Sequence, residues 1–207
     1  MSFANLYSPF IVLLAVAGPG EIAKEEGEKQ APQEVRQLAG TYTGSWTLFG
    51  IDDKGQIVQR MVWTDTLKAQ GPEVQGDRAY ISTTDEMVFE GSKIPPMTVR
   101  GREGYFLGKD GRLGDYFIEA AGRVNRMVKV ADQVWSYVAP ASGQELVQSG
   151  FPVGAWGQHV LVKVVTREQG VETHRISRLT TVNWKDKEGK DRWLQYVSLQ
   201  GFHKRAP

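Results

Sequence analysis

Hydrophobic and polar residues alternate along most of the chain from Thr41 onward, and this alternation predicts an all-β domain. The first run, TYTGSWTLFG at 41–50, places Tyr42, Gly44, Trp46 and Leu48 on one side and threonine or serine on most of the other. A period of two with one apolar face is typical of a half-buried strand. Similar short runs recur as far as Phe202, separated by turn residues, and no segment keeps a 3.6-residue period.

The later runs predict a meandering antiparallel sheet. The predicted strands are Gln56–Leu67, Arg78–Thr84, Glu86–Glu90, Thr98–Arg102, Gly104–Leu107, Leu113–Ala120, Arg123–Val130, Gln133–Ala139, Gln158–Arg167, Val171–Trp184 and Asp191–Phe202. Gly71-Pro72 breaks the second run, and residues 144–157 lack periodicity, so we expect a long connection or lid there. Closing such a sheet removes its edges. We therefore predict an antiparallel up-and-down β-barrel of about 8–10 strands over residues 38–205.

The segment before the barrel carries an export pattern. Pro9–Ala17 is apolar and too short to span a bilayer, and Ala15-Val16-Ala17 suits cleavage before Gly18, although residues 1–8 hold no Lys or Arg. We expect a signal peptide at 1–17, a polar linker at 18–37 and a periplasmic or extracellular protein without stable membrane insertion. A buried strand, or a leader with a misplaced start, is the alternative.

Composition excludes several functions and leaves the partner open. Lys plus Arg number 25 and Asp plus Glu 24, so the chain lacks the excess of basic residues that is typical of nucleic-acid-binding proteins. Cys is 0, which excludes disulfides, cysteine-based zinc sites and thiol nucleophiles. Gly is 23, mostly between the alternating runs, as in a β-protein rich in turns. Neither composition nor pattern indicates an oligomeric state.

Two stretches carry a resemblance to a known family. Gly44-x-Trp46 on the first strand resembles the signature of the lipocalin superfamily. The segment from Arg175 through Trp184 to Arg192-Trp193 is similar to bacterial lipocalin-like proteins of unknown function. The resemblance implies a barrel with an internal apolar cavity and transfers no catalytic residue. The chain departs from classical lipocalins in having no cysteine pair and no evident long C-terminal helix.

The three histidines do not form a recognisable metal motif. His159, His174 and His203 share no spacing such as H-x-H or H-E-x-x-H, so we predict no metal site. His174 has the parity of Ile176, and an inward histidine on a barrel wall can ligate a haem iron. The glycine-rich tyrosine-proline motif of the haem barrels is absent, so a surface or rim histidine is the other interpretation. We predict no cofactor.

Catalytic motifs are equally scarce. There is no G-x-S-x-G nucleophile elbow and no phosphate-binding loop. Paired carboxylates for glycosidase-type chemistry require Asp85, Glu86, Asp115 or Glu119 to meet in space. Solvated strand faces and turns are the alternative for all four, and we predict no catalytic residue.

An arginine and several aromatic residues form the predicted binding site. Arg126 alternates with Val124, Val128 and Val130, and an arginine on an apolar face needs a ligand anion or an internal partner such as Asp115 or Glu119. The aromatics either fill the core or line a cavity, and Trp156 lies in a glycine-rich loop where it can close a barrel mouth. The predicted ligand-binding residues are Trp46, Trp63, Arg126, Trp135, Tyr137, Trp156 and Arg175.

Three functions fit this pattern. The first is non-enzymatic binding of a small apolar or amphipathic ligand inside the barrel. The second is a barrel enzyme or haem protein that uses an interior histidine or carboxylates, which predicts a titratable pair with perturbed pKa values inside the barrel. The third is a filled barrel that acts as an interaction module through an apolar patch on its wall.

Overall fold

The protein is described by a computed structural model that covers residues 31–120 and 122–206. Ten strands make up most of it: β1 Gly40–Ile51, β2 Ile57–Gln75, β3 Arg78–Phe89, β4 Met97–Leu107, β5 Leu113–Ala120, β6 Arg123–Ala131, β7 Val134–Pro140, β8 Trp156–Glu168, β9 Val171–Lys185 and β10 Asp191–Arg205. Two short helices accompany them, α1 Gln33–Arg36 and α2 Gly143–Gln148. The predicted signal peptide at 1–17 lies outside the described residues.

The ten strands form one closed antiparallel barrel. Each strand pairs with its neighbours in sequence, and β1 closes the sheet by pairing with β10 from Tyr42 opposite Arg205 to Leu48 opposite Leu199. The closed ladder leaves no strand edge free to pair with another chain. The predicted all-β, up-and-down antiparallel barrel is confirmed, with ten strands.

Some predicted strand breaks lie inside continuous strands, because their glycine and proline residues occupy a register shift or a close contact between two strands. β2 continues through Gly71-Pro72, where the register shifts between Gln70 and Glu73. The two runs predicted on either side of residue 103 are one strand, β4. Gly104 is needed there because a Cβ atom would lie 2.1 Å from the carbonyl oxygen of Ala79 on β3. This glycine marks a close approach of two strands, which a sequence pattern cannot distinguish from a turn.

One helix covers each end of the barrel. α1 closes the end where β1 starts and β10 finishes, and its Val35 is fully buried beside Tyr42 and Leu67. We call this the α1 end. The opposite α2 end is closed by the segment between β7 and β8, with Leu146 and Phe151 packed on Tyr196. Residues 31–37 of the predicted linker therefore belong to the packed structure.

The inward face of β6 is the opposite of the apolar face that the sequence indicated. Val124, Val128 and Val130 are 40–59% exposed on the outer wall, whereas Met127 is fully buried. The valines satisfy β-propensity on a solvated wall, so their alternation with Arg126 does not indicate burial.

Candidate functional site

The inside of this barrel is polar as well as aromatic. Inward positions on the strands carry ten acidic or basic side chains: Asp65, Asp85, Glu103, His159, Lys163, Glu172, His174, Arg178, His203 and Arg205. They fall into clusters that lie at different heights along the barrel. Such groups are costly to bury unless each one is paired, so the partners indicate what each cluster does.

A buried ion pair occupies the centre. Lys163 on β8 is 1% exposed and donates hydrogen bonds to the carboxylate of Glu103 on β4 and to the hydroxyl of Tyr116 on β5. Its ammonium also lies 4.2 Å from the centroid of the Tyr116 ring. Burial alone would raise the pKa of Glu103, but the attraction of Lys163 outweighs it and holds that pKa below its ordinary value.

A second network surrounds Glu172 at the α1 end. Its carboxylate accepts hydrogen bonds from His174 Nε2 at 2.8 Å and from Arg167 Nε at 2.8 Å. Burial opposes ionisation, but these two partners lower the pKa of Glu172 to about 2. Burial, followed by the charge of Lys163, lowers the pKa of His174, so the imidazole is neutral at pH 7.

Arg205 links this network to the segment that carries α1. Its Nη2 donates to the Tyr42 hydroxyl at 2.7 Å, to the Ala39 carbonyl oxygen at 3.0 Å and to the Gln37 carbonyl oxygen. Arg167 Nη2 donates to the Gln37 side chain at 3.3 Å. Two cationic side chains therefore hold the segment that follows α1, through the carbonyls of Gln37 and Ala39 and the side chain of Gln37.

A cavity of about 70 Å³ lies beneath α1. Tyr105, Tyr116 and Trp135 form its aromatic side, and Lys163, Arg167 and His174 contribute its polar side. Glu34 and Leu38 bring the α1 segment into its wall. This is a small, partly open space in which polar groups converge beside aromatic rings.

A third cluster joins β2, β3 and β10. Asp65 Oδ2 accepts hydrogen bonds from Trp46 Nε1 at 2.6 Å and from His203 Nε2 at 3.0 Å. Asp85 lies beside Asp65, and burial together with the charge of Asp65 raises the pKa of Asp85 to about 7. The Oδ1 atoms of both aspartates are buried without a hydrogen-bond partner. This is a pair of interior carboxylates of which one has a strongly perturbed pKa.

A fourth network lies at the α2 end and is closed on itself. Glu145 of α2 accepts from Arg178 and lies 3.0 Å from His159 Nε2, while His159 Nδ1 lies 2.8 Å from Thr180 Oγ1. Thr180 in turn donates to Ser198. Burial would raise the pKa of Glu145, but the hydrogen bond from His159 and the Arg178 charge lower it. These contacts fix α2 in the barrel mouth.

The structure divides the seven predicted ligand-binding residues between the two faces of the wall. Trp46, Trp63, Trp135 and Tyr137 lie inside, and the rings of Trp46 and Trp63 stack with centroids 6.0 Å apart. The other three lie outside: Arg126, Trp156 and Arg175. Trp135 alone among the seven lines the cavity under α1.

The outer-wall residues have neighbours of their own. Arg126 pairs with Asp115 at 2.7 Å, which is one of the internal partners considered from the sequence, here on the solvated surface. Trp156 is 68% exposed and lies opposite Asn183 on the neighbouring strand β9. Trp193 on β10 lies opposite the same Asn183 from the other side. These residues do not reach the barrel interior and do not line the cavity under α1.

The four carboxylates considered for glycosidase-type chemistry do not converge. Asp85 faces inward, but its partner is Asp65, which the sequence did not single out. Glu86 pairs with Lys68 at 2.8 Å, Asp115 with Arg126, and Glu119 with Arg78 at 3.5 Å. His174 is inward, which is one of the two interpretations that the sequence left open, and its Nε2 is hydrogen-bonded to Glu172.

Several residues of the interior network escaped the sequence analysis. Asp65, Glu103, Lys163 and Glu172 each lie at an inward position of an otherwise unremarkable strand. One signal was available: a charged residue with the same parity as buried apolar residues must be paired inside the barrel. Lys163, two residues before the buried Val165 on β8, is such a case.

No protein-family model, curated protein or solved structure matches this chain. Among the residues that the structure describes, no helix is long and apolar enough to cross a membrane.

Proposed function

We propose that the protein binds a small amphipathic molecule with an anionic group, without chemical change, at the α1 end of the barrel. One observation carries this proposal: the cavity under α1 joins an aromatic wall of Tyr105, Tyr116 and Trp135 to the cationic groups of Arg167 and Lys163. Aromatic side chains contribute apolar contact area, and an arginine at the rim suits a carboxylate or phosphate.

The cavity wall carries charges of both signs. Lys163 and Arg167 are its cationic side chains, and Glu34 and Glu172 are its carboxylates. Arg167 is 54% exposed along its side chain, so an incoming anion meets this cation first.

α1 occupies the space that the ligand would take. Val35 and Leu38 place apolar side chains against the barrel, while the carbonyl oxygens of Gln37 and Ala39 accept hydrogen bonds from Arg205. An amphipathic anion offers the same pair of features. The helix has four residues and no side-chain hydrogen bond at its N-cap, so it has little stability apart from these contacts.

Binding of the proposed ligand would require α1 to move. Pockets for drug-sized ligands are roughly 300–1,000 Å³, whereas this cavity measures about 70 Å³. A ligand of that size fits only after α1 lifts and Val35 and Leu38 vacate their positions. The apparent affinity then depends on the fraction of molecules in which α1 is displaced.

The family and compartment are part of the same proposal. A closed antiparallel barrel and the Gly44-x-Trp46 pattern support a lipocalin-like protein. The apolar run at 9–17 followed by Gly18 supports export to the periplasm or the extracellular space.

Octanoate is expected to bind more tightly than 1-octanol, and Arg167→Gln is expected to remove most of this preference. The two probes share a chain length and differ in charge, so the ratio of their dissociation constants isolates the anionic contact, worth about 1 kcal/mol or about fivefold for a partly exposed arginine. Isothermal titration calorimetry measures both constants. Arg175→Gln on the outer wall is the matched control and should keep the wild-type ratio. Equal affinities for both probes in the wild type, or no saturable binding of either, would overturn the proposal.

Val35→Ala is expected to increase the affinity for octanoate while it lowers thermal stability. Loss of two buried methyl groups weakens the docking of α1 by about 1–2 kcal/mol, which raises the fraction with the site open about 5- to 30-fold. Val153→Ala, at a side chain that is 89% exposed, is the control and should change neither quantity. If α1 were a fixed part of the wall, Val35→Ala would weaken binding or leave it unchanged.

A further inference from the structure

The side chains of Asp65, Asp85 and His203 form a cluster that the cavity under α1 does not include. Each residue offers one donor atom, and the three donor atoms lie within 4.8 Å of one another. They come from β2, β3 and β10, which converge around the first half of β1. The sequence could not reveal this set because the three residues are far apart along the chain.

Gly44 on β1 makes the convergence possible. Asp65 and His203 are its cross-strand neighbours on either side. A Cβ atom at position 44 would lie 2.0 Å from Asp65 Oδ1 and 2.7 Å from His203 Cδ2. Any side chain here would fill the space in which the two residues meet, so the glycine of the Gly-x-Trp pattern forms a cradle for them.

One oxygen of Asp65 is held and the other is free. Oδ2 accepts hydrogen bonds from Trp46 and His203, whereas Oδ1 is buried without a partner in a side chain that is 1% exposed. Asp85 Oδ1 is likewise buried and unpartnered. Buried carboxylate oxygens almost always have a partner, and leaving two of them without one next to each other is expensive.

The charges in the cluster call for a cation. Two carboxylates lie beside a single imidazole, and the nearby ammonium of Lys163 is bound to Glu103. A divalent ion would balance the two carboxylates and give both Oδ1 atoms a partner. The Trp46 indole would keep Asp65 oriented, which is the usual role of a hydrogen bond to a metal-bound carboxylate.

We propose that Asp65, Asp85 and His203 bind one divalent first-row transition ion inside the barrel. Two carboxylate oxygens and one imidazole nitrogen suit Zn²⁺, Mn²⁺ or Fe²⁺. His203 Nε2 donates to Asp65 in the metal-free protein. When the ion binds, this proton moves to Nδ1 or leaves to solvent, and the Nε2 lone pair coordinates the ion. Three protein ligands leave at least one position for water or another ligand.

Tag-free protein, treated with a chelator and desalted, tests this proposal. Titration with MnCl₂, followed by the electron paramagnetic resonance signal of free Mn²⁺, and calorimetric titration with ZnCl₂ each give a stoichiometry and an affinity. We expect one ion per chain for both metals and tighter binding of Zn²⁺, as the order of divalent-ion affinities requires. Zn²⁺ should also displace bound Mn²⁺.

Variants identify the ligands. Asp65→Asn, Asp85→Asn and His203→Gln should each lower the affinity for both ions at least about tenfold. Asp191→Asn, at a surface carboxylate, and His159→Gln, at a buried histidine outside the cluster, are the controls and should bind as the wild type does. Asp85→Asn keeps the test valid if another variant does not fold, because it removes a charge next to Asp65 without changing side-chain volume.

Two outcomes would overturn the proposal. The first is that the wild type binds neither ion, which would mean that the two aspartates share a proton instead. Alternatively, the ions bind with the same affinity to Asp85→Asn and to the wild type, in which case they occupy surface carboxylates.

Discussion

Lys163→Met is expected to lower the free energy of unfolding by about 3–5 kcal/mol, because it leaves the Glu103 carboxylate buried without its partner. Methionine fills most of the space of the lysine stem, so lost packing contributes little. Lys163 is 1% exposed and Glu103 13% along its side chain, so water cannot replace the ammonium. Urea unfolding followed by tryptophan fluorescence measures the loss.

The double variant Lys163→Met/Glu103→Leu separates the ion pair from a general weakness of the core. Removing both charges leaves no unpaired carboxylate, so we expect it to recover most of the stability lost in the single variant. Lys68→Met, on the exposed pair with Glu86, is the matched control and should change stability by less than about 1 kcal/mol. A double variant as unstable as Lys163→Met would contradict this account of the barrel centre.

Asp85→Asn is expected to stabilise the metal-free protein above neutral pH and to leave it unchanged in acid. Burial and the charge of Asp65 raise the pKa of Asp85 from 3.8 to about 7. A raised carboxyl pKa means that ionisation penalises folding, and this penalty grows as the pH rises from about 4 to about 7. The shift corresponds to about 4 kcal/mol at most, and we expect about 2 kcal/mol because Asp85 is partly exposed.

Chemical unfolding in the presence of a chelator, at about pH 4 and about pH 8, measures this difference. The gain of Asp85→Asn should be close to zero at the lower pH and complete at the higher one. Asp191→Asn is the control for the loss of a surface carboxylate and should differ little from the wild type at either pH. A gain of equal size at both values would show that Asp85 is not the group that titrates. Stabilisation on removal of a polar side chain is characteristic of a site kept for binding.

The fold could be predicted because local pattern and global topology agree. The strict alternation of residues 41–50 is the inward and outward face of β1, and the predicted gap between Leu107 and Leu113 is the turn between β4 and β5. Where the same alternation fits either an inward or an outward apolar face, the predicted orientation of the strand was wrong. Val124 and Val128 mark an outward face of β6, because an apolar residue on a solvated strand costs little.

α2 could have been predicted and was treated as a lid. Ser142 and Glu145 have the S-x-x-E spacing that starts helices, and the Ser142 hydroxyl accepts a hydrogen bond from the Glu145 N–H at 3.1 Å. The same Glu145 then reaches His159 and Arg178 inside the barrel. Recognition of this N-cap in the sequence would have predicted a helix that carries Glu145 between β7 and β8.

The interior clusters could not be predicted from one sequence. Asp65 and His203 are brought together by strand register across Gly44, and Lys163 reaches Glu103 across the barrel. Register between distant strands depends on the whole sheet, which no local pattern encodes. Gly44 and Trp46 were singled out, but their role beside Asp65 appears only in the closed barrel.

Native mass spectrometry of the protein purified from its own host is the most direct test of the central claim that the α1 end is a binding site. The account predicts that part of the protein retains a molecule of a few hundred daltons that carries an acidic group, the usual scale of such ligands. The Arg167→Gln variant, purified in the same way, should retain less of it, and Arg175→Gln should retain as much as the wild type. Bare protein in all three preparations, or equal retention in both variants, would contradict the claim.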